Sequence, residues 1–184
     1  MADRTYPQKF GFKGAISLPR PKLEQKPESK KAAKVAASAL NAGVIKGMSN
    51  VETSLTQALT AALQSSVWTG FSPKYEYARK NGEMMGTGAR NIYDTGRLAS
   101  SLNLKTEFKQ TKSVLNISYS APYAALVHEG GVIIPYGDPK NAAVTLPGRP
   151  WITSTLQGTN GIPKYEAKGY FARAIAETWD KRVQ

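Results

Sequence analysis

The chain has 184 residues, no cysteine and a net charge of +12. Its length suffices for one domain with a real core plus extensions, and the missing cysteines exclude disulfide and thiolate chemistry, which suits a reducing cytoplasm. The charge implies an anionic partner (phosphate backbone, acidic protein surface or anionic lipid) without choosing among them.

Residues 1–27 read as an extended, basic, proline-rich arm, leaving 28–184 as a single domain. Pro7, Pro19, Pro21 and Pro27 among lysines keep the arm extended and stop it burying Tyr6, Phe10 and Phe12. It is either a solvated tail or a segment held by a neighbour. In the second case the aromatics are anchors, and Lys9, Lys13, Lys22 and Lys26 meet acidic surface. Residues 1–8 lack the apolar segment of a signal peptide. The run 32–45 is short and carries Lys34, so no membrane span is expected.

From residue 28 the pattern turns helical. Val44, Met48, Val51, Leu55, Leu59 and Leu63 recur at steps of three and four, an apolar stripe that predicts a helix over about 29–66. Gly43 and Gly47 weaken it just before Ser49 and Glu52, which have capping-box spacing, so one kinked helix or two in tandem both fit. The alanine-rich stretch 32–42 suits close packing against another subunit. Residues 68–93 form a long aromatic and glycine-rich connection, of a length usually functional or interfacial.

Asp94-Thr95-Gly96 then reads as a helix entry, with Asp94 or Thr95 as cap and Leu98 and Leu102 on one side of the helix. Leu102, Leu104, Thr106 and Phe108 alternate with polar residues, as do Leu115, Ile117 and Tyr119, giving a hairpin that turns near 110–112 with one face buried. Pro122 opens a short helix over 123–127, which Gly130 and Gly131 end. Residues 132–135 suggest a third strand and 144–146 a short return. Pro150 opens a helix at Trp151, and a last helix from about 164 to 182 carries Ala167, Tyr170, Phe171, Ala174, Ile175 and Trp179 on its apolar face.

Several chemical readings fall away on the residues themselves. Asp94-Thr95-Gly96 matches the aspartic-protease tripeptide, but Arg97 follows it inside a helix start and no apolar strand leads in. Gly86-Thr87-Gly88-Ala89-Arg90 lacks the preceding strand and the Gly-Lys-Ser of a phosphate loop. His128 is the sole histidine, which excludes a histidine-pair zinc site and suggests bonding to the last carbonyls of its helix. Ser100 and Ser101 have no adjacent base. Neither an enzyme nor a cofactor is expected. Basic nucleic-acid binding is the competing reading, although the lysines are scattered and no known binding signature appears.

Three motifs recur in order: Thr95-Gly96-Arg97-Leu98-Ala99-Ser100-Ser101, Tyr123-Ala124-Ala125-Leu126-Val127-His128-Glu129-Gly130 and Arg149-Pro150-Trp151. Together with the long helix and the hairpin between the first two, they resemble the neck or tail-completion proteins of tailed bacteriophages. That family's pattern is T-G-x-L-x-x-S, a hairpin, Y-A-x-x-V-[EH]-x-G, and R-P-[FW] opening a helix. Gly130-Gly131 stands where the family often carries an aromatic after the Glu, and the arm and the 68–93 connection are additional. The resemblance implies an α+β subunit whose long N-terminal helix and C-terminal helix pack on a small antiparallel sheet. It also implies a homo-oligomeric ring, commonly hexameric, at the virion's head–tail junction, assembled in the host cytoplasm. Such a ring meets other neck, connector and tail-tube proteins and lets double-stranded DNA through its lumen. An adaptor ring beneath the portal is the neighbouring alternative. Leu98, Leu102, Tyr123, Leu126, Trp151 and Ile152 are expected to form one core seam joining the motifs.

Overall fold

The structure, a computed structural model, describes residues 13–22, 29–68, 96–133 and 144–183. Helix α1 runs Lys30–Gln64 without interruption. Ser29 caps it, its hydroxyl accepting from the Ala32 N–H at 3.1 Å. Its other end is closed by Trp68, whose indole N–H donates to the Ala62 carbonyl at 2.6 Å. The predicted stripe is buried throughout, from Val44 to Leu63.

Neither Gly43 nor Gly47 breaks this helix. Both are buried where α1 meets helix α5, Ala167–Val183. A β-carbon on Gly43 would stand 3.1 Å from the Ile175 Cα, and one on Gly47 would stand 2.7 Å from the Phe171 ring. The glycines therefore set how closely two backbones approach. Ala36 and Ala39, expected at a subunit contact, are buried within this chain. Ser49 and Glu52 do not cap a second helix: Ser49 is mid-helix and exposed, and Glu52 accepts a hydrogen bond from Thr106. On α5 the inward residues are Ala167, Phe171, Ala174 and Thr178, with Ile175 and Trp179 half-buried. Thr178 tolerates burial because its hydroxyl donates to the Ala174 carbonyl at 2.7 Å. Tyr170, expected on the apolar face, is exposed and stacks on Tyr165 with centroids 5.7 Å apart.

The main sheet has the order β1-β3-β2 and is antiparallel throughout. Strands β2, Leu102–Phe108, and β3, Lys112–Tyr119, form the predicted hairpin. Its third strand is β1, Lys13–Pro19, drawn from the stretch read as a detached arm. Ile16 and Leu18 lie two apart, so both face the core, and Leu18 is 1 % exposed. Pro19 is the last residue of an edge strand, where a missing N–H costs no central ladder bond. The described domain thus begins by Lys13 rather than at residue 28. Of the stretch 132–135, the described residues Val132 and Ile133 lie outside the main sheet. They belong to strand β4, Gly131–Ile133, which among the described residues pairs only with β5, Val144–Leu146, as a two-stranded ribbon.

Between α1 and the hairpin lies α2, a single turn, Arg97–Ser100. It ends there because Ser101 sends both its N–H (3.1 Å) and its hydroxyl (2.7 Å) to the Leu98 carbonyl. Leu102 consequently opens a strand instead of following Leu98 along a helix face. Phe108 leaves the buried face of the hairpin and is 51 % exposed, since the core stops short of the turn.

Candidate functional site

The three motifs share one core, and the second and third meet at Trp151, the first residue of helix α4, Trp151–Gln157. Pro150 precedes it at the cap, and the Ser154 N–H reaches back to the Pro150 carbonyl at 2.8 Å. The indole is fully buried. Tyr119, at the end of β3, meets it edge-on at 5.5 Å between centroids and 89° between planes. His128, on helix α3 (Ala124–Glu129), meets it at 5.0 Å and 78°. Such edge-to-face aromatic contacts add to the area they bury.

Backbone contacts lock the second motif to the third. The Arg149 N–H donates to the Val127 carbonyl at 3.0 Å. Gly148 lies flat on the end of α3, where a β-carbon would come within 2.6 Å of the Glu129 carbonyl oxygen. Gly130 ends that helix at φ 81°, a conformation that favours glycine, and Glu129 is exposed. The first motif joins through Leu98, buried in the same core, and through the Ser120 N–H on the Ser101 carbonyl at 2.9 Å. Gly96 sits at φ 70° at the cap of α2. Asp94 and Thr95 lie outside the described residues, as do Tyr6, Lys9, Phe10, Phe12 and Lys26 of the arm and the 86–90 glycine loop.

The expected seam is right for Leu98, Trp151 and Ile152, all buried, and for Leu102, which is partly buried against them. It is out of phase on α3. Tyr123 is 37 % exposed and Leu126 is only half-buried, resting near Gly131. The inward residues are Ala124, Val127 and His128, an i, i+3, i+4 set one position later. His128 is therefore a core residue packed on Trp151, and Tyr119 is a third ring that alternation alone marked as merely inward.

Burial dominates the electrostatics of this junction. It pushes the Tyr119 phenol up to about 12, with the nearby Trp151 N–H opposing part of that rise. The two atoms nevertheless fall short of hydrogen-bond geometry, and both are buried without a hydrogen bond among the described residues. Burial also lowers His128 below its ordinary value, against the weaker opposing effect of the Glu129 carboxylate. Arg149, 2 % exposed, is lowered by the same cause. Among the described residues, no three His, Cys, Asp or Glu side chains gather as a metal site would need, and no helix is long and apolar enough to cross a membrane. What the junction does physically is hold β3, α3 and α4 in fixed relation. Comparison with family models, with curated proteins and with solved structures returned no match.

Proposed function

We propose that this chain is a structural virion subunit of a tailed bacteriophage, a neck or tail-completion protein. It forms a ring that caps the tail and joins it to the head-side connector, with DNA passing through. The observation that supports this reading is the packing of three separated motifs into one core, with His128 of the second on Trp151 of the third and Leu98 of the first buried in the same cluster. Their unusual residues (the glycines, the buried Arg149 and the aromatic after Pro150) serve packing between elements rather than chemistry. A scaffold that spends its distinctive residues on rigidity suits a part that docks and carries load.

Mass photometry with electron microscopy of the purified protein tests the reading. Closed rings that cap tail tubes in a joining assay support it, and rings that bind a portal instead favour the adaptor position. A stable monomer that binds duplex DNA tightly overturns it in favour of a nucleic-acid-binding module.

A further inference from the structure

Basic residues that are scattered along the sequence are gathered by the fold at one end of the molecule. Arg20, which follows β1, is the hub. Its backbone N–H donates to the Thr111 carbonyl at 3.0 Å. Its guanidinium donates to Asn41 Oδ1 at 2.9 Å and to the Lys109 carbonyl at 3.5 Å. The end of β1, the β2–β3 turn and α1 at Asn41 are thereby fixed to one another. Lys109 and Lys112 flank that turn, Pro19 pairs with Lys112, and Lys22 lies just beyond Arg20; the three lysines are exposed.

Helix α1 carries the charge onward. Lys34 and Lys30 lie seven and eleven residues before Asn41, two and three turns, so both share the Asn41 side of the helix. Both are exposed, and they stand about 10 and 16 Å from Asn41 along the axis. Among the described residues, one ion pair touches this group, Lys109 with Glu107 at 3.8 Å. Across residues 20–34 the sequence holds six basic and two acidic residues, so this end is cationic overall.

We infer that this end of the molecule binds the phosphate backbone of duplex DNA, without reading its sequence. The cations stand on three elements held in fixed relation. That suits a stiff rod carrying one charge per roughly 1.7 Å of its axis. Arg20 spends its fork on the Asn41 and Lys109 oxygens, which leaves lysines, point charges suited to phosphate rather than to paired recognition of a carboxylate. An acidic protein or an anionic membrane would also need apolar anchors among the lysines. Val35, exposed on α1, is turned roughly 120° from the Asn41 stripe, and Phe108 shares the sheet face of Ser113, opposite Lys112. As the place where a ring meets the DNA it encloses, this surface rests on the reading above; the contact itself is measurable on the purified chain in any state of assembly.

Fluorescence anisotropy of a labelled mixed-sequence duplex tests it, with the full chain titrated from about 50 to 200 mM salt. Mass photometry of each sample reports assembly. Lys30→Glu/Lys34→Glu and Lys109→Glu/Lys112→Glu are each expected to weaken binding about tenfold or more and to flatten its salt dependence. Lys164→Glu/Lys168→Glu makes the same change of net charge on exposed residues around the start of α5 and should cost far less. Phe108→Ser should bind as before. Every substituted position is exposed, and thermal melting confirms that each variant is folded. The inference is overturned if the duplex stays unbound at low salt, or if the α5 pair loses as much as the other two. It is overturned equally if Phe108→Ser loses binding, or if poly-glutamate or phosphatidylserine vesicles compete as well as unlabelled duplex. Rings that leave the duplex unbound sink this inference alone. A monomer that binds it tightly sinks the ring reading and leaves the surface assigned.

Discussion

Gly47 of α1 faces Phe171 of α5 so closely that the ring and the Phe171 carbonyl occupy the space where a side chain would begin, at 2.7 and 3.1 Å. Alanine is favoured over glycine in a helix by roughly 1 kcal/mol, yet overpacking costs about 1–3 kcal/mol. The carbonyl belongs to a helix backbone and cannot swing aside, so the steric term wins. Gly47→Ala is expected to lower stability by about 1–2 kcal/mol, and Gly43→Ala by less. Gly169→Ala on α5, with nothing within 4 Å, should raise it by about 0.5–1 kcal/mol. Denaturant midpoints of the three variants give the order directly, and a stabilising Gly47→Ala would show that the seam is looser than described.

Trp151 is the ring against which Tyr119 and His128 both rest, so truncating it strands two aromatic neighbours at once. Trp151→Ala should cost about 3–5 kcal/mol, enough to unfold a marginal domain. Trp151→Phe retains an aromatic edge contact and should cost less than half as much. Urea unfolding followed by circular dichroism distinguishes the two. Equal losses would mean that the indole's shape carries nothing.

His128 should make the domain acid-sensitive. Burial lowers its folded-state value, so below the ordinary 6.5 the unfolded chain binds a proton that the folded chain refuses. Its contribution is therefore complete above about 6.5 and declines as pH falls from there towards the lowered folded value. Beside it, the Glu129 carboxylate opposes the shift and the Trp151 indole is uncharged. Chemical denaturation between pH 7.5 and 5 should show stability falling with pH, and His128→Phe should flatten that slope. An unchanged slope in the variant would assign the acid sensitivity to the carboxylates.

The position of β1 changes what a truncation ought to do. Removing residues 1–12 leaves every described strand in place, and the fold should survive. Removing 1–27 takes away the strand paired with β3 and the buried Leu18. Leu18→Ala alone should cost about 2–5 kcal/mol, and the longer deletion more. Thermal melts of both truncations decide the matter. A longer deletion that melts like the full chain would return 13–19 to the status of a detachable arm.

The elements that were legible in the sequence were those whose own periodicity is long or strongly punctuated. The stripe from Val44 to Leu63, the hairpin strands and the proline-led start of α4 emerged with nearly the observed limits. Strand β1 stayed hidden because two inward residues, Ile16 and Leu18, are a faint signal among prolines and lysines. Gly43 and Gly47 read as weak points because propensity is local, whereas their role belongs to a helix encountered far later in the chain. On α3, a helix of six residues, one step of phase separates Tyr123 and Leu126 from Ala124, Val127 and His128. Periodicity names a face but not what covers it, which is also why Phe108 and Tyr170 fall on an apolar face by spacing yet are exposed.

The pairing of α1 with α5 also governs the order of events during synthesis. Lys46 and Glu177, bonded across that seam at 3.1 Å, are 131 residues apart in the chain. At elongation rates of roughly 5–20 residues per second, α1 waits on the order of ten seconds after its own emergence before α5 exists to cover it. Its apolar stripe is meanwhile a sticky, unclosed surface, and loop closure over such a span is slow compared with local helix formation. The chain is thus expected to be a client of holding chaperones on the ribosome, completing its core only once α5 has emerged.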